Sequence, residues 1–211
     1  MNTAIKVALI GATGKAGKHL LTELLHQGYR VKALIRKPLS YSISHPNLEI
    51  VAGDIKDIET TRQLLAGCNA VLSAIGQAPD EPLISSLAAA NLIQVMPQYQ
   101  ISRYIFIAGL SLDMPGDQKS EASLQGSKWM KETFPVVMAD KEKALQLLQK
   151  SDLEWTMVRL PWIEDTEERS GIKVSLQDCP GEKISTSDLA EFIVQQLKDP
   201  TYIRKAPFVA S

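Results

Sequence analysis

A chain of 211 residues with 45% hydrophobic and 22% charged residues has the make-up of a soluble globular protein, long enough to bury one core, so a single domain over 1–211 is expected. Its formal net charge of -1 gives no field to gather polyanions, which argues against a nucleic-acid partner. There is no secretory pattern and no apolar run of membrane-spanning length, and Cys68 and Cys179 stand apart with no histidine cluster. The expectation is therefore a cytoplasmic protein with no membrane partner, no disulfide framework and no metal site.

In chain order, "IKVALI" (5–10) predicts the first strand, and "GATGKAG" leads at once into a helix over about 14–27, with Leu20, Leu21, Leu24 and Leu25 as its apolar stripe and Gly28 as its stop. Strands follow at 30–35 and 48–53, then a helix behind Asp57 closed by Gly67, then a strand at 70–76. The stretch 83–99 reads as a helix that Pro97 shortens or bends, and 103–108 as a fifth strand. Residues 109–135 are polar, with two prolines and three glycines, and read as one long irregular loop. Helices at 139–151 and 185–199 bracket strands at 154–160 and 171–176. Continuous apolar strands separated by helices imply a parallel sheet covered on both faces, a doubly wound α/β fold of about seven strands.

Gly11, Gly14 and Gly17 fall between the first strand and the first helix, where a dinucleotide fingerprint sits. Gly11 would make the tight turn, Gly14 would admit a pyrophosphate to the backbone, and Gly17 would let the helix pack on the strand, with Thr13, Lys15 and Ala16 completing the turn. The plainer reading is that these glycines only relieve crowding. At the end of the second strand, where a carboxylate would hold the ribose of NAD, stand Arg36 and Lys37, a pair suited to a 2′-phosphate and so to NADP(H), or else a solvated pair at a strand end. Asp54, with Ile55, is placed either to accept from the adenine amino group or to cap the following helix. Ala74, Ile75 and Gly76 leave room for ribose and pyrophosphate, although a glycine-ended strand is an adequate explanation too.

Taken with "IRKP", "GDI", "SAIG", "DLEWTMVRLPWI" and "ISTSDLAEFIVQQLKDPTYI", these residues resemble the atypical short-chain dehydrogenase/reductases of the NAD(P)H-binding, NmrA-like group, and within it the biliverdin reductase B type of flavin reductase. The resemblance spans the chain. It implies a Rossmann sheet in the order 3-2-1-4-5-6-7, with the nicotinamide above the carboxyl ends of the middle strands. It also implies that Lys141 matches the lysine of the family's Tyr-x-x-x-Lys pair, whereas the tyrosine position holds Val137. The hydroxyl usual after the fifth strand is displaced by Ala108 and Gly109 to Ser111, leaving Ser111 and Lys141 as candidate catalytic residues. Lys141 also sits in the charged run "DKEK", which reads equally as a solvated face. After Pro161, Trp162 would either wall the nicotinamide site or join the core, and Arg159 would be a buried partner for a carboxylate or part of the site. His19, His26 and His45 read as surface residues.

Three functions follow in order. The first is an NADPH-dependent reductase of a small-molecule acceptor such as a flavin or quinone, for which the missing tyrosine is tolerable. A non-catalytic NADP(H)-binding sensor is second. An NAD(P)-dependent dehydrogenase or epimerase/dehydratase-like enzyme is third, because it needs the absent proton relay. A monomer or weak homodimer is expected.

Overall fold

The computed structural model describes residues 5–77 and 82–211. Strands β1 (Lys6–Ile10), β2 (Arg30–Ile35), β3 (Leu48–Ala52), β4 (Ala70–Ser73), β5 (Arg103–Gly109) and β6 (Glu154–Leu160) form a parallel sheet in the order 3-2-1-4-5-6. The register follows from hydrophobic matching: Val7, Leu9 and Ile10 lie beside Val31, Ala33 and Leu34 of β2, while Val7 and Leu9 pair Ala70 and Leu72 of β4.

Alternation along each strand divides the core. Val7, Leu9, Ile105 and Val158 pack with Leu20, Leu21 and Leu24 of α1 (Lys15–His26) and Leu189, Phe192 and Ile193 of α6 (Thr186–Gln195). Ala8, Ile10 and Met157 face the opposite layer, built from α2 (Ile58–Leu65), α3 (Ser85–Val95) and α5 (Pro135–Lys150). The α2 N-terminus is capped by Asp57, which accepts from the Glu59 and Thr60 amides. Behind α3 a short 3₁₀ turn, Met96–Tyr99, carries Pro97, so the proline does end the regular helix.

Three features depart from the sequence reading. The stretch 109–135 is not one loop, for it contains α4 (Glu121–Thr133), opened by Ser120 accepting from the Ser123 amide. Its buried positions are Ser123 and Ser127 rather than leucines, so the apolar period that announces a helix is missing. Pro135 then opens α5 four residues before the expected start, with the fixed φ that suits a first helical position. Finally, the sheet has eight strands. The short β8 (Lys173–Ser175) is its antiparallel edge, and the C-terminal β10 (Phe208–Ala210) intervenes between β8 and β6. A separate parallel pair joins β7 (Trp162–Glu164) to β9 (Lys183–Ser185).

The insertion of β10 is explained by Arg159, whose side chain is 1% exposed. Its Nε donates to the Ala206 carbonyl at 2.9 Å, and its Nη1 donates to Asp117 Oδ2 at 2.6 Å and to the Leu112 carbonyl at 3.1 Å. The guanidinium carbon lies 3.5 Å from the centre of the Phe208 ring. Of the two readings of Arg159, the carboxylate-partner role holds. Arg159→Met should destabilise the fold by about 3–5 kcal/mol, because it strands Asp117, and the double variant with Asp117→Asn should recover part of the loss. Urea denaturation of Arg159→Met, Asp117→Asn and the double variant measures this.

Candidate functional site

At the carboxyl ends of β1, β2 and β4 lies a cleft of about 320 Å³, lined by Gly11, Thr13, Gly14, Arg36, Asp54, Ile55, Ala74, Ile75 and Gly76. These residues, singled out from the sequence, come together on one concave surface. Ile10, Leu34, Gln77 and Ile84 complete the lining and were not singled out, since each reads as an ordinary apolar or loop residue.

The three glycines have three different causes. Gly11 has φ +83°, and a Cβ there would fall 2.8 Å from the Ala74 carbonyl carbon and oxygen. A Cβ on Gly17 would lie 1.9 Å from the Gly11 carbonyl oxygen, so that position is dictated by the seating of α1 on the turn. Gly14 is different. Its backbone is extended, with φ -79° and ψ 171°, and a Cβ would meet nothing nearer than the Gly11 carbonyl oxygen at 3.4 Å. Nothing in the polypeptide requires a glycine there, whereas a group lying against the turn from the cleft would. The first turn of α1 has no side-chain cap and no acidic residue, so its amides and positive dipole end are left for an external anion.

At the far end of the cleft, Arg36 lines the wall beside the exposed Lys37. Asp54 does not cap α2, because Asp57 does. Instead Asp54 Oδ1 accepts from the Lys56 amide at 3.0 Å and the carboxylate remains on the cleft wall.

Ile75 also borders a crevice of about 50 Å³ between the sheet and helices α3 and α5, lined by Ser73, Ala88, Tyr104, Phe106, Ala108 and Lys141 among others. Lys141 is half-buried on its inner side, so the solvated-face reading does not hold. Its ammonium makes no hydrogen bond or ion pair with the described residues, and burial lowers its pKa from the ordinary 10.5. Tyr104, unremarked in the sequence, is buried, and burial pushes its phenol well above the usual range. Ser111, the candidate hydroxyl, is 2% exposed, and its Oγ donates to Met138 Sδ at 3.4 Å. In this arrangement Ser111 is turned into the core and not toward the cleft.

Ala16 and Gly17 lie buried behind the turn. Beyond Pro161, Trp162 is 71% exposed, which rules out a core role. Lys15 is directed outward to it, with Nζ 5.3 Å from the indole centre and 3.5 Å from the Ile163 carbonyl oxygen. His19 pairs with Asp165 at 2.9 Å, and Lys18 meets the same carboxylate at 2.8 Å, tying α1 to the segment after β7.

A switch-point cleft with a glycine turn and an open helix N-terminus defines a nucleotide-binding Rossmann protein. The chain belongs to the NAD(P)H-binding family, whose model matches residues 11–200. It is 23% identical to the uncharacterised protein YwnB of Bacillus subtilis over 94% of both chains. Its fold is shared with a short-chain dehydrogenase/reductase of Veillonella parvula solved with NADP, at a TM-score of 0.80, 17% identity and coverage of 98% and 94%. A candidate NADH-flavin reductase of Streptococcus pneumoniae superposes at a TM-score of 0.78, with 23% identity over 99% of this chain and 100% of that one. No described helix is long and apolar enough to cross a membrane.

The different causes of the glycines give different expected outcomes. Gly17→Ala should destabilise the fold, because the clash is with backbone. Gly14→Val should remain folded and lose nucleotide binding. Thermal unfolding together with a titration of NADPH against each variant separates the two.

Proposed function

We propose that the protein is an NADP(H)-dependent reductase of a conjugated small-molecule acceptor, a flavin or a quinone. The observation that supports the cofactor is the open face at Gly14, in a cleft that carries Arg36 on its wall and borders, through Ile75, the crevice lined by Lys141. In this reading the α1 amides and Gly14 hold the diphosphate, Arg36 and Lys37 hold the 2′-phosphate, and Asp54 accepts from the adenine amino group. Lys141 places its ammonium on the ribose or on charge developing beside it. When bound, the cofactor supplies a hydride.

The acceptor class is argued from the proton inventory. Val137 has no proton to give, the Ser111 hydroxyl is committed to Met138, and burial raises the Tyr104 phenol, which makes it a weaker acid than a free tyrosine. A ketone needs its developing alkoxide quenched as it forms, and lacking a positioned acid costs on the order of 10² to 10⁴ in rate. A conjugated acceptor spreads the charge and takes its proton from solvent, while Ile75, Phe106 and Ala108 keep the reacting face dry. The missing donor equally favours the second reading, an NADP(H) sensor without turnover, and counts against a dehydrogenase or epimerase.

NADPH should bind more tightly than NADH by about 1.5 to 3 kcal/mol, and Arg36→Ala should remove the preference. Equal affinities in the wild-type protein would overturn the NADP(H) assignment. Flavin mononucleotide or a benzoquinone should oxidise NADPH in the presence of the protein while simple ketones do not; robust ketone turnover would disprove the acceptor class, and binding with no oxidation by any acceptor would select the sensor.

The Lys141 ammonium must be charged to act on the ribose, and its pKa lies below 10.5. NADPH affinity should therefore fall as pH rises through that lowered value, earlier than for a free lysine. Titrations over alkaline pH should show that limb in the wild-type protein and lose it in Lys141→Met.

A further inference from the structure

Lys15 and Trp162 have no role in packing. Trp162 projects from the first position of β7 with most of its indole in solvent, and Lys15, next to the Gly14 turn, is its link to the cleft. Lys15 is the first residue of α1, where a positive charge opposes the helix dipole, and it has no carboxylate partner among the described residues. Its neighbour Gly14 lines the cleft, yet the Lys15 ammonium is turned away, onto the indole. An exposed indole and an unfavourably placed cation thus occupy each other beside the glycine turn of a site whose ligand, on the reading above, is a diphosphate.

We infer that Lys15 is an exchanging clamp: its ammonium, held on the Trp162 ring in this arrangement, transfers to the cofactor diphosphate on binding, which frees the indole to close over the nicotinamide end and stack on a flat acceptor. This inference depends on the NADP(H) reading and adds to it a coupling between the two halves of the site. The direction of exchange follows from relative strength. A cation above a largely solvated ring at 5.3 Å is held weakly, and a charge-assisted hydrogen bond to a phosphate oxygen is stronger. The position at the helix start is also relieved once an anion sits there, because cation and dipole then act on the same ligand instead of repelling each other.

The two residues can be separated experimentally, since both are exposed and neither contributes to the core. Lys15→Met should weaken NADPH binding about tenfold, and Lys15→Arg should restore it. Trp162→Leu should weaken NADPH binding much less than Lys15→Met, because it removes the competing resting place of the cation together with the indole, while raising the KM for a flavin or quinone. In a Trp129→Phe background, where Trp155 is buried and Trp162 alone is exposed among the remaining tryptophans, NADP+ should shift the tryptophan emission. The additional Lys15→Met substitution should abolish most of that shift. Equal weakening of NADPH binding by Lys15→Met and Trp162→Leu would show a mere latch between α1 and β7 and overturn the clamp. Wild-type affinity in Lys15→Met, or emission unmoved by saturating NADP+, would do the same. A wild-type protein that binds no NADPH in the titration would instead refute the cofactor reading itself, and the clamp with it.

Discussion

The cleft exists because three pieces of backbone meet with no side chain between them. The Gly11 carbonyl accepts from the Gly14 amide at 3.0 Å, the Gly17 Cα sits directly on that carbonyl, and the Ala74 peptide closes from the other side. The Ala74 amide in turn donates to the Ile10 carbonyl at 2.9 Å, so the end of β4 is bound to the end of β1 at the level of the turn. A methyl group at Gly11 would push the turn off the Ala74 peptide, and one at Gly17 would push α1 off the turn. Because it is not pushed off, the first-turn amides face the cleft at a fixed height and Gly14 is exposed beside them. The binding surface is thus a by-product of backbone close packing, and its precision comes from contacts that involve no ligand at all.

A second anchoring system works at the opposite end of the sheet. Arg159 gathers the Leu112 carbonyl, the Asp117 carboxylate and the C-terminal strand around one buried guanidinium, and Lys119, also buried, donates to the Leu110 carbonyl, Asp113 and Ser127. These bonds turn the polar stretch before α4 into an ordered wall beside the crevice. The Arg159 charge is tolerated in such a place because Nε and Nη1 are hydrogen-bonded, Asp117 supplies the counter-charge and the Phe208 ring covers its face, and removing a partner would leave charge or carbonyl oxygen uncompensated.

The sequence disclosed most where a single physical cause acts on neighbouring residues. Glycine spacing, continuous apolar strands and the Asp57 start of α2 are local, and each appears where its residues predict. Arg36, Asp54 and the 74–76 stretch could be brought to one cleft because strand ends in a doubly wound sheet share an edge. What remained hidden depends on partners far away in the chain. Helix α4 shows no leucine stripe because serines pack beneath it. Strand β10 has three residues and owes its place to Arg159, some fifty positions earlier. Tyr104 reads as a strand aromatic and only the crevice gives it a site-lining position, and the inward turn of Ser111 is set by Met138 on α5.

Asp140, next to Lys141, accepts from the Ser85 amide at 2.8 Å and from Ser86 Oγ at 2.5 Å, so a residue of α5 supplies the missing cap of α3. The two helices that wall the crevice are therefore riveted together at the rim, and spreading them would break a helix cap as well as an apolar contact. The width of the slot is built in. Widening it means giving up the hydrogen bonds that hold the start of α3, so the crevice keeps its thickness for the same reason that the helix keeps its first turn.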